Sequence, residues 1–412
     1  MIAVEPHVMI RGIAGGGDGV GTLPDGRTVF VPRAAPGDQL SLRNVRLHSR
    51  FARAEIADVM EPGAGRVMPI CPHYTADRCG SCQLMHLEPA VQRAAKSRIA
   101  GDAFRRIAHL DIADPAVVAS PEEFGYRTKI TFTMQRGRLG YHPVNDPAHV
   151  FDVHECLLAD PAVRRLHDAV RVARNHLPQD GVRVVLRLDR GFGLHVVVVA
   201  EPGTEDVWTG ATELHGALMG AGVAAVIWWK PVDGHPRAVA GADDPWPATV
   251  FEQVHPAMGQ IVRHAAVESL GAVAGLQAWD LFAGIGETTV ALAERGATVT
   301  SVESDTRAVR LAETRGPSGP RRIAARVEDV AKTLSRPGVV ITNPPRIGMD
   351  PRAVDALLHC GAARIAYISC DPATLARDVA RLAGAYALAS VRVFDQFPQT
   401  AHMECLAVLD RR

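Results

Sequence analysis

Four of the seven cysteines lie in the first half of the 412-residue chain and could bind a metal together. They are Cys71, Cys79, Cys82 and Cys156, of which Cys79 and Cys82 form a Cys-x-x-Cys pair. Four thiolates at one centre suit either zinc or an iron–sulfur cluster. The odd total and uneven spacing argue against the disulfide framework of a secreted protein. The spacing therefore predicts a metal site and leaves the metal open, with unpaired structural cysteines as the alternative.

Cys370 has a different setting, which favours a nucleophile. It follows the apolar run from Arg364 to Ser369 and precedes Asp371-Pro372, where a helix is expected to begin. A thiol near a helix start can have a lowered pKa and react as a thiolate. Glu404 opens the last predicted strand, and its carboxylate would supply a base for the same chemistry. A small buried cysteine and an ordinary strand-end acid are the simpler interpretations.

A glycine turn and a more distant carboxylate indicate a nucleoside cofactor. A strand-like run ends at Asp280 and leads into Gly284-Ile-Gly286, at the edge where open α/β sheets bind ligands. About 20 residues on, a second strand ends at Glu303, where a carboxylate can bind a ribose diol. NAD enzymes share this device, but Thr289 occupies the place of their third glycine. Because Asp280 could also accept a hydrogen bond from the ammonium of methionine, the pattern favours S-adenosylmethionine over NAD.

The segment Asn343-Pro-Pro-Arg346 follows the next predicted strand. Two consecutive prolines cannot continue a strand, so they predict a rigid loop over the cofactor. An amide before two prolines is typical of methyltransferases that modify planar amino groups. That interpretation makes Asn343 the group that contacts the substrate, and it competes with the interpretation built on Cys370.

Three domains are predicted to position these residues. Residues 1–62 alternate short β-type runs with Gly, Asp and Pro turns, which predicts a small OB-like barrel. Residues 63–250 contain the four cysteines, a helix-like stretch near residues 89–108 and β-rich runs, which predicts a central α+β domain. From residue 251 onward, strand, glycine turn and helix alternate, which predicts an α/β domain with a doubly wound, Rossmann-like sheet.

The overall charge gives no indication of a polyanionic partner, because 45 basic side chains balance 45 acidic ones. A local basic edge formed by Arg43, Arg46, Arg50 and Arg53 could contact RNA, and a solvated surface is the alternative. No apolar run approaches the roughly 20 residues that span a bilayer, and the first residues lack a signal pattern. We therefore expect a soluble, cytoplasmic monomer that binds no membrane.

Several motifs together resemble the RNA 5-methyluridine methyltransferase family, and the resemblance covers the whole chain. The motifs are Phe251-Glu-Gln253, Asp280-Leu-Phe-Ala-Gly284-Ile-Gly286, Asn343-Pro-Pro-Arg346, Ser369-Cys370-Asp-Pro372, Gln396-Phe-Pro398 and His402-Met-Glu404. The stretch from Gly12 to Asp38 is similar to the family's RNA-binding TRAM barrel, and Tyr126-Arg-Thr-Lys129 is similar to the start of its central RNA-contacting sheet.

The resemblance implies a role for each candidate residue. Cys370 would be the nucleophile that adds to carbon 6 of uracil, and Glu404 would be the base that removes the proton from carbon 5. The S-adenosylmethionine pocket would be lined by Gln253, Phe282, Glu287, Glu303 and Asn343. The four cysteines of the first half would bind a [4Fe-4S] cluster. The RNA would be 23S rRNA, with transfer RNA as the alternative.

Two positions depart from the family pattern. Most relatives have aspartate in place of Asn343 and asparagine or another polar residue in place of Glu287. Two further hypotheses therefore stay open. One is a methyltransferase for an exocyclic nitrogen, which would not need Cys370. The other is an RNA-binding protein that has lost catalysis.

Overall fold

The structure is a computed structural model that describes residues 6–204, 207–241 and 250–412. Its strands form three β-sheets, which follow one another along the chain with one exception described below. Among the described residues, no helix combines the length and the hydropathy needed to cross a bilayer.

Six strands between residues 7 and 61 form the first sheet. They are β1 (His7–Met9), β2 (Gly12–Ile13), β3 (Gly19–Thr22), β4 (Thr28–Val31), β5 (Gln39–Leu47) and β6 (Phe51–Glu61). The order is β1-β5-β6-β4-β3-β2. Only two residues separate β1 from β2, yet the two strands pair with β5 and β3 at opposite ends of this order, so the sheet curves back on itself. Alternate apolar residues such as Val29, Val31 and Leu40 fill its interior. This closure is the arrangement expected of a small barrel.

A connecting segment follows, with Cys71, Cys79 and Cys82 at its start, whereas Cys156 lies in the next region. It contains α1 (Pro72–Thr75), α2 (Pro89–Ile107) and β7 (Val117–Val118). Pro89 occupies the first turn of α2, where a proline has no hydrogen bond to lose. The structure thus confirms the helix predicted from this stretch.

The second sheet has seven strands. They are β8 (Lys129–Gln135), β9 (Arg138–Tyr141), β10 (Phe151–Asp152), β11 (Val182–Leu188), β12 (Leu194–Ala200), β13 (Val226–Lys230) and β14 (Arg237–Ala240), in the order β10-β9-β8-β11-β12-β13-β14. Two helices, α3 (Pro161–Val172) and α4 (Ala211–Gly220), and a 3₁₀ turn (Arg174–His176) complete this region. In β8, Ile130, Phe132 and Met134 point into a core shared with α3 and α4, which confirms the predicted half-buried strand.

The third sheet carries the remaining strands. They are β15 (Gln277–Leu281), β16 (Thr298–Glu303), β17 (Arg321–Ala324), β18 (Val339–Thr342), β19 (Arg364–Ser369), β20 (Tyr386–Phe394) and β21 (Glu404–Arg411). The order is β17-β16-β15-β18-β19-β21-β20-β7. Strands β15 to β19 are parallel, whereas β21 runs antiparallel between β19 and β20.

Helices cover both faces of the third sheet, as predicted for a doubly wound domain. They are α5 (Pro256–Ser269), α6 (Glu287–Glu294), α7 (Thr306–Arg315), α8 (Val327–Val330), α9 (Pro351–Cys360) and α10 (Pro372–Leu382), with a 3₁₀ turn at Ala331–Thr333. One core joins the strands to α5 and α6, and a second joins them to α2, α8, α9 and α10.

Part of the predicted central domain packs on the third sheet. Strand β7 pairs in parallel with β20, and Ala100 and Phe104 of α2 are buried in the same core as α10. The predicted domain boundaries after residues 62 and 250 stay predictions.

Candidate active site

A cavity of about 1030 Å³ opens at the carboxyl ends of β15, β16, β18 and β19. All seven residues predicted to bind the cofactor or to react line this cavity. They are Gln253, Phe282, Glu287, Glu303, Asn343, Cys370 and Glu404. Parallel strands end at one edge of a sheet, so residues that follow different strands meet there.

The glycine turn after β15 is built from left-handed residues. The φ angles of Phe282, Gly284 and Gly286 are 60°, 56° and 81°, a region that only glycine enters without cost. The amide of Gly284 donates a hydrogen bond to Oε2 of Glu303 (2.9 Å), and the amide of Asp305 donates to Oε1 of the same carboxylate (2.8 Å). These two bonds fix the carboxylate of Glu303 against the glycine turn at the cavity wall.

Asp280 does not have the predicted role of binding a methionine ammonium. Its side chain is buried and does not line the cavity. Its Oδ2 accepts hydrogen bonds from the hydroxyls of Thr288 (2.7 Å) and Thr289 (2.6 Å) at the start of α6. Burial raises the pKa of this carboxyl to about 6, although the hydrogen bonds from the two hydroxyls act to lower it. Asp280 therefore stabilises the glycine turn by holding the start of α6.

Two arginines balance the charge of Glu287. Its Oε1 lies 2.9 Å from Arg263 of α5 and 3.2 Å from Arg190, which lies between β11 and β12 of the second sheet. Because of these ion pairs, the carboxylate adds little net charge to a cavity that already contains Glu303. The contact of Arg190 with the cavity wall was not predicted, since a short loop in a distant part of the sequence gives no signal of it.

Cys370 follows β19 directly and precedes α10, whose N-cap is Asp371. The predicted lowering of the thiol pKa is wrong for the free protein. Burial raises this pKa, the charge of Glu404 raises it further, and Arg346 opposes both through its charge and a hydrogen bond. Burial outweighs the helix start because Cys370 lies on the cavity wall, where water reaches the thiol only in part.

Glu404 is the first residue of β21, as predicted, and is only 2% exposed. Burial raises its pKa to about 8, and the positive charge of Arg346 acts in the opposite direction. Arg346 thus influences both candidate catalytic groups. The sequence places it only within the two-proline loop, so its effect on both Cys370 and Glu404 is a finding of the structure.

The loop that carries Arg346 begins with Asn343, which lies directly after β18. The backbone amide of Asn343 donates a hydrogen bond to the backbone carbonyl of Leu281 (3.2 Å). The backbone amide of Gly348 donates to the carbonyl of Pro345 (2.8 Å) and closes a turn. The side chain of Asn343 therefore reaches the cavity from the strand beside the glycine turn.

The four cysteines of the first half lie close enough to affect one another electrostatically. Burial raises the pKa of Cys82, and the charges of Cys156, Cys79 and Cys71 raise it further. All four thiols are free of disulfides. Within the described ranges, however, no group of three or more His, Cys, Asp or Glu side chains is arranged to hold a metal ion.

Comparison with known proteins places these features in context. Residues 313–412 match the family model for tRNA (uracil-5-)-methyltransferases. The chain is 31% identical to an uncharacterized RNA methyltransferase of Thermosynechococcus vestitus over 95% of both chains. It is also 31% identical to the 23S rRNA (uracil(1939)-C(5))-methyltransferase RlmD of Acidithiobacillus ferrooxidans, over 99% of this chain and 98% of the relative.

A solved structure shares the fold over nearly the whole chain. It is that of Pyrococcus abyssi tRNA (uracil-54, C5)-methyltransferase in complex with S-adenosyl-L-homocysteine. The TM-score is 0.71 at 23% identity, with 99% of this chain and 100% of the other covered. This match confirms the predicted α/β methyltransferase fold.

Proposed function

Because this chain belongs to the RNA 5-methyluridine methyltransferase family, we propose that it methylates carbon 5 of a uridine in RNA. The observation that carries the proposal is the meeting of Cys370 and Glu404 in one cavity with the glycine turn and Glu303. The substrate we propose is 23S rRNA, since relatives named for that activity match almost the full chain. Transfer RNA is the alternative, supported by the name of the matching family model.

S-adenosylmethionine is the cofactor we propose for the glycine-turn side of the cavity. The carboxylate of Glu303 is already oriented by Gly284 and could accept hydrogen bonds from a ribose diol. Gln253, Phe282, Glu287 and Asn343 would line the rest of the site. When bound, the cofactor supplies an electrophilic methyl group. The oriented carboxylate of Glu303 fits the ribose of a nucleoside cofactor.

Cys370 would act first, as a thiolate. Carbon 5 of uracil is too weak a nucleophile to accept a methyl group, but addition of the sulfur to carbon 6 moves an electron pair toward carbon 5 and makes it enolate-like. Arg346 supports this step because its charge and hydrogen bond favour the thiolate. The uridine must leave its stack to reach the cavity, which favours a single-stranded loop.

Glu404 would act second, after carbon 5 carries the methyl group. As a carboxylate it removes the remaining proton from carbon 5. The electron pair left behind restores the double bond between carbons 5 and 6, and the sulfur leaves as the thiolate of Cys370. Glu404 ends the cycle protonated and must lose its proton before the next one.

The rate of methylation is expected to rise with pH through about 8. Glu404 accepts a proton only as a carboxylate, and burial raises its pKa to about 8, so most copies are protonated at neutral pH. The raised pKa of Cys370 acts in the same direction, because only its thiolate attacks. The measurement is multiple-turnover release of methylated, protein-free RNA from slightly acidic to alkaline pH, because the proton is removed only after the methyl group has been transferred.

The variant Arg346→Gln tests the cause of this pH dependence. Removing the positive charge should move the inflection of the rate toward higher pH, because that charge now lowers the pKa of both groups. A wild-type rate that falls or stays level as the pH rises toward about 8 would contradict the assignment of Glu404 as base.

Mapping of the product tests the proposed substrate. We expect 5-methyluridine at a defined position of 23S rRNA in cells that contain the protein, and unmodified uridine at that position in cells that lack it. Mass spectrometry of nuclease digests of rRNA and transfer RNA would detect the difference. A loss confined to transfer RNA would select the alternative substrate, and no loss in either RNA would reject the proposal.

The first sheet and the second would bind the RNA. We propose that residues 7–61 are a TRAM-type barrel, supported by the curved sheet, and that the protein acts as a monomer. Of the basic edge, Arg43 lies 3.8 Å from Glu55 and Arg53 lies 3.3 Å from Asp18, so acids partly neutralise these two side chains.

We also propose that Cys71, Cys79, Cys82 and Cys156 bind a [4Fe-4S] cluster, with zinc as the alternative. Their mutual electrostatic effect supports one shared site. Within the described part of the chain their side chains are not grouped as around a metal ion, so the metal content of the purified protein decides this proposal. Protein purified without oxygen should contain about four iron atoms per chain. Cys82→Ser should lose the iron and Cys360→Ser should keep it, whereas stoichiometric zinc would select the alternative.

A further inference from the structure

The segment from Asp395 to Ala401 lies between β20 and β21 and directly precedes the residues that lead into Glu404. It begins after Phe394, the partner of Glu404 in the strand ladder. It has few hydrogen bonds of its own, chiefly from the amide and hydroxyl of Thr400 to the carbonyl of Phe397. Phe397 lines the cavity beside Glu404. Gln399 has a φ of 69°, which a residue with a side chain rarely adopts. Contacts from elsewhere must therefore hold this segment in place.

Lys96 of α2 makes the most unusual of these contacts. Its Nζ donates hydrogen bonds to Oδ1 of Asp395 (2.5 Å) and to the carbonyl of Phe397 (3.0 Å). Lys96 is completely buried, and Asp395 is 3% exposed. Lysine is almost never fully buried without a partner, and an apolar pair of similar volume often stabilises a fold as well or better. A buried ion pair at this place therefore indicates that Lys96 and Asp395 position the segment, rather than that they mainly stabilise the fold.

Gln92, one turn before Lys96 on the same helix, holds the strained residue. Its Oε1 accepts from the amide of Gln399 (2.9 Å), and its Nε2 donates to Oε1 of Gln399 (2.9 Å). Tyr126 donates to the carbonyl of Pro398 (2.9 Å). The helix and its neighbours thus satisfy the backbone of the segment at successive residues.

The residues that follow Cys82 also contact the segment 395–401. The amide of Leu84 donates to the carbonyl of Gln399 (3.0 Å), and the amide of Ala401 donates to Oε1 of Gln83 (3.3 Å). Gln83 directly follows Cys82. The segment before β21 is consequently held on one side by α2 and on the other by the residues next to the cysteines.

We propose that Lys96 is a positioning residue for the methyl-transfer reaction, which holds the segment 395–401 so that Glu404 meets carbon 5 of the bound uridine. This inference rests on the proposed function. It assigns Lys96 to the second half of the reaction, because the groups that Lys96 contacts, Asp395 and the carbonyl of Phe397, lie on the chain that leads to Glu404. The segment also contacts the cofactor side of the cavity through Gln396, whose Nε2 lies 3.4 Å from Oε1 of Gln253, so cofactor affinity is measured separately. A displaced base would leave cofactor binding and thiolate addition intact while it slows removal of the carbon 5 proton.

The test uses the full-length double variant Lys96→Met/Asp395→Asn, which leaves no unpaired buried charge. With ordinary uridine-containing 23S rRNA transcript, we expect turnover to fall on the order of 10–100-fold. The covalent protein–RNA species, resolved on denaturing gels, should accumulate because its release is slowed. The dissociation constant for S-adenosylmethionine, measured by calorimetry, and kcat/KM for RNA should stay within about twofold of the wild-type values, because both report steps that precede removal of the proton.

The matched control is Arg364→Met/Asp410→Asn, which removes an ion pair between β19 and β21 (2.6 Å) at the edge of the third sheet opposite the cavity. This variant should release its RNA as fast as the wild type. The inference is overturned if the Lys96 variant turns over at the wild-type rate, or if cofactor affinity and adduct formation fall together with turnover, as a purely structural role would require. If the wild type itself neither methylates the transcript nor forms an adduct with 5-fluorouridine-containing RNA, the proposed function fails instead.

Discussion

Cys370→Ala is expected to abolish methylation, with a loss of turnover on the order of 10⁴-fold or more. Without the sulfur, no group can add to carbon 6, and carbon 5 stays too weak a nucleophile to accept a methyl group. The measurement is transfer of labelled methyl groups to RNA, combined with trapping on 5-fluorouridine-containing RNA. The wild type should form a stable covalent adduct, because the base cannot remove a fluorine from carbon 5 as it removes a proton. The variant should form no adduct.

Cys360→Ala is the matched control for this loss. Cys360 is also a free cysteine of the third sheet region, but it is buried at the end of α9 and does not line the cavity. It should methylate and form the adduct like the wild type. Methylation that persists in Cys370→Ala would favour the hypothesis of an exocyclic nitrogen held by Asn343. A wild type that binds RNA without methylation or adduct would favour the RNA-binding hypothesis.

Three of the residues that the sequence identified share one local property, which is their place at the end of a strand. Cys370 and Asn343 each follow an apolar run, and Glu303 ends one. Such runs predict parallel strands, and topology then brings their carboxyl ends to one edge. This part of the cavity wall could therefore be anticipated from periodicity and order along the chain, whereas Gln253, Phe282 and Glu287 were identified only through the family resemblance.

The features that the sequence did not identify depend on contacts between distant segments. Arg190 reaches Glu287 from another sheet, and Lys96 reaches Asp395 from a helix assigned to another domain. The raised pKa of Cys370 depends on burial, which no local motif specifies. Asp280 has the expected place on its strand, but the hydroxyls of α6 occupy its carboxylate. Local patterns thus predicted where side chains lie, whereas their charge states and partners required the folded structure.

Glu404→Gln is expected to stop the reaction after the methyl group has been transferred. The amide has nearly the same shape but cannot accept the proton from carbon 5, so turnover should fall on the order of 10²–10⁴-fold. The covalent species between Cys370 and methylated RNA should accumulate even with ordinary uridine. Denaturing gels would show this species, and mass spectrometry would show that its uracil carries the methyl group. Cys370→Ala/Glu404→Gln should form no such species.

The stability of Glu404→Gln provides an independent check of the protonation state. The folded-state pKa of Glu404 is raised from the usual 4.5 to about 8. Its neutral form therefore favours folding at low pH, and this contribution is lost as the pH rises from 4.5 through about 8. The variant has no ionisation to lose, so its free energy of unfolding relative to the wild type should increase over that range. If the two proteins instead keep a constant difference, Glu404 is ionised in the folded protein at neutral pH, and proton release from Glu404 does not limit the cycle.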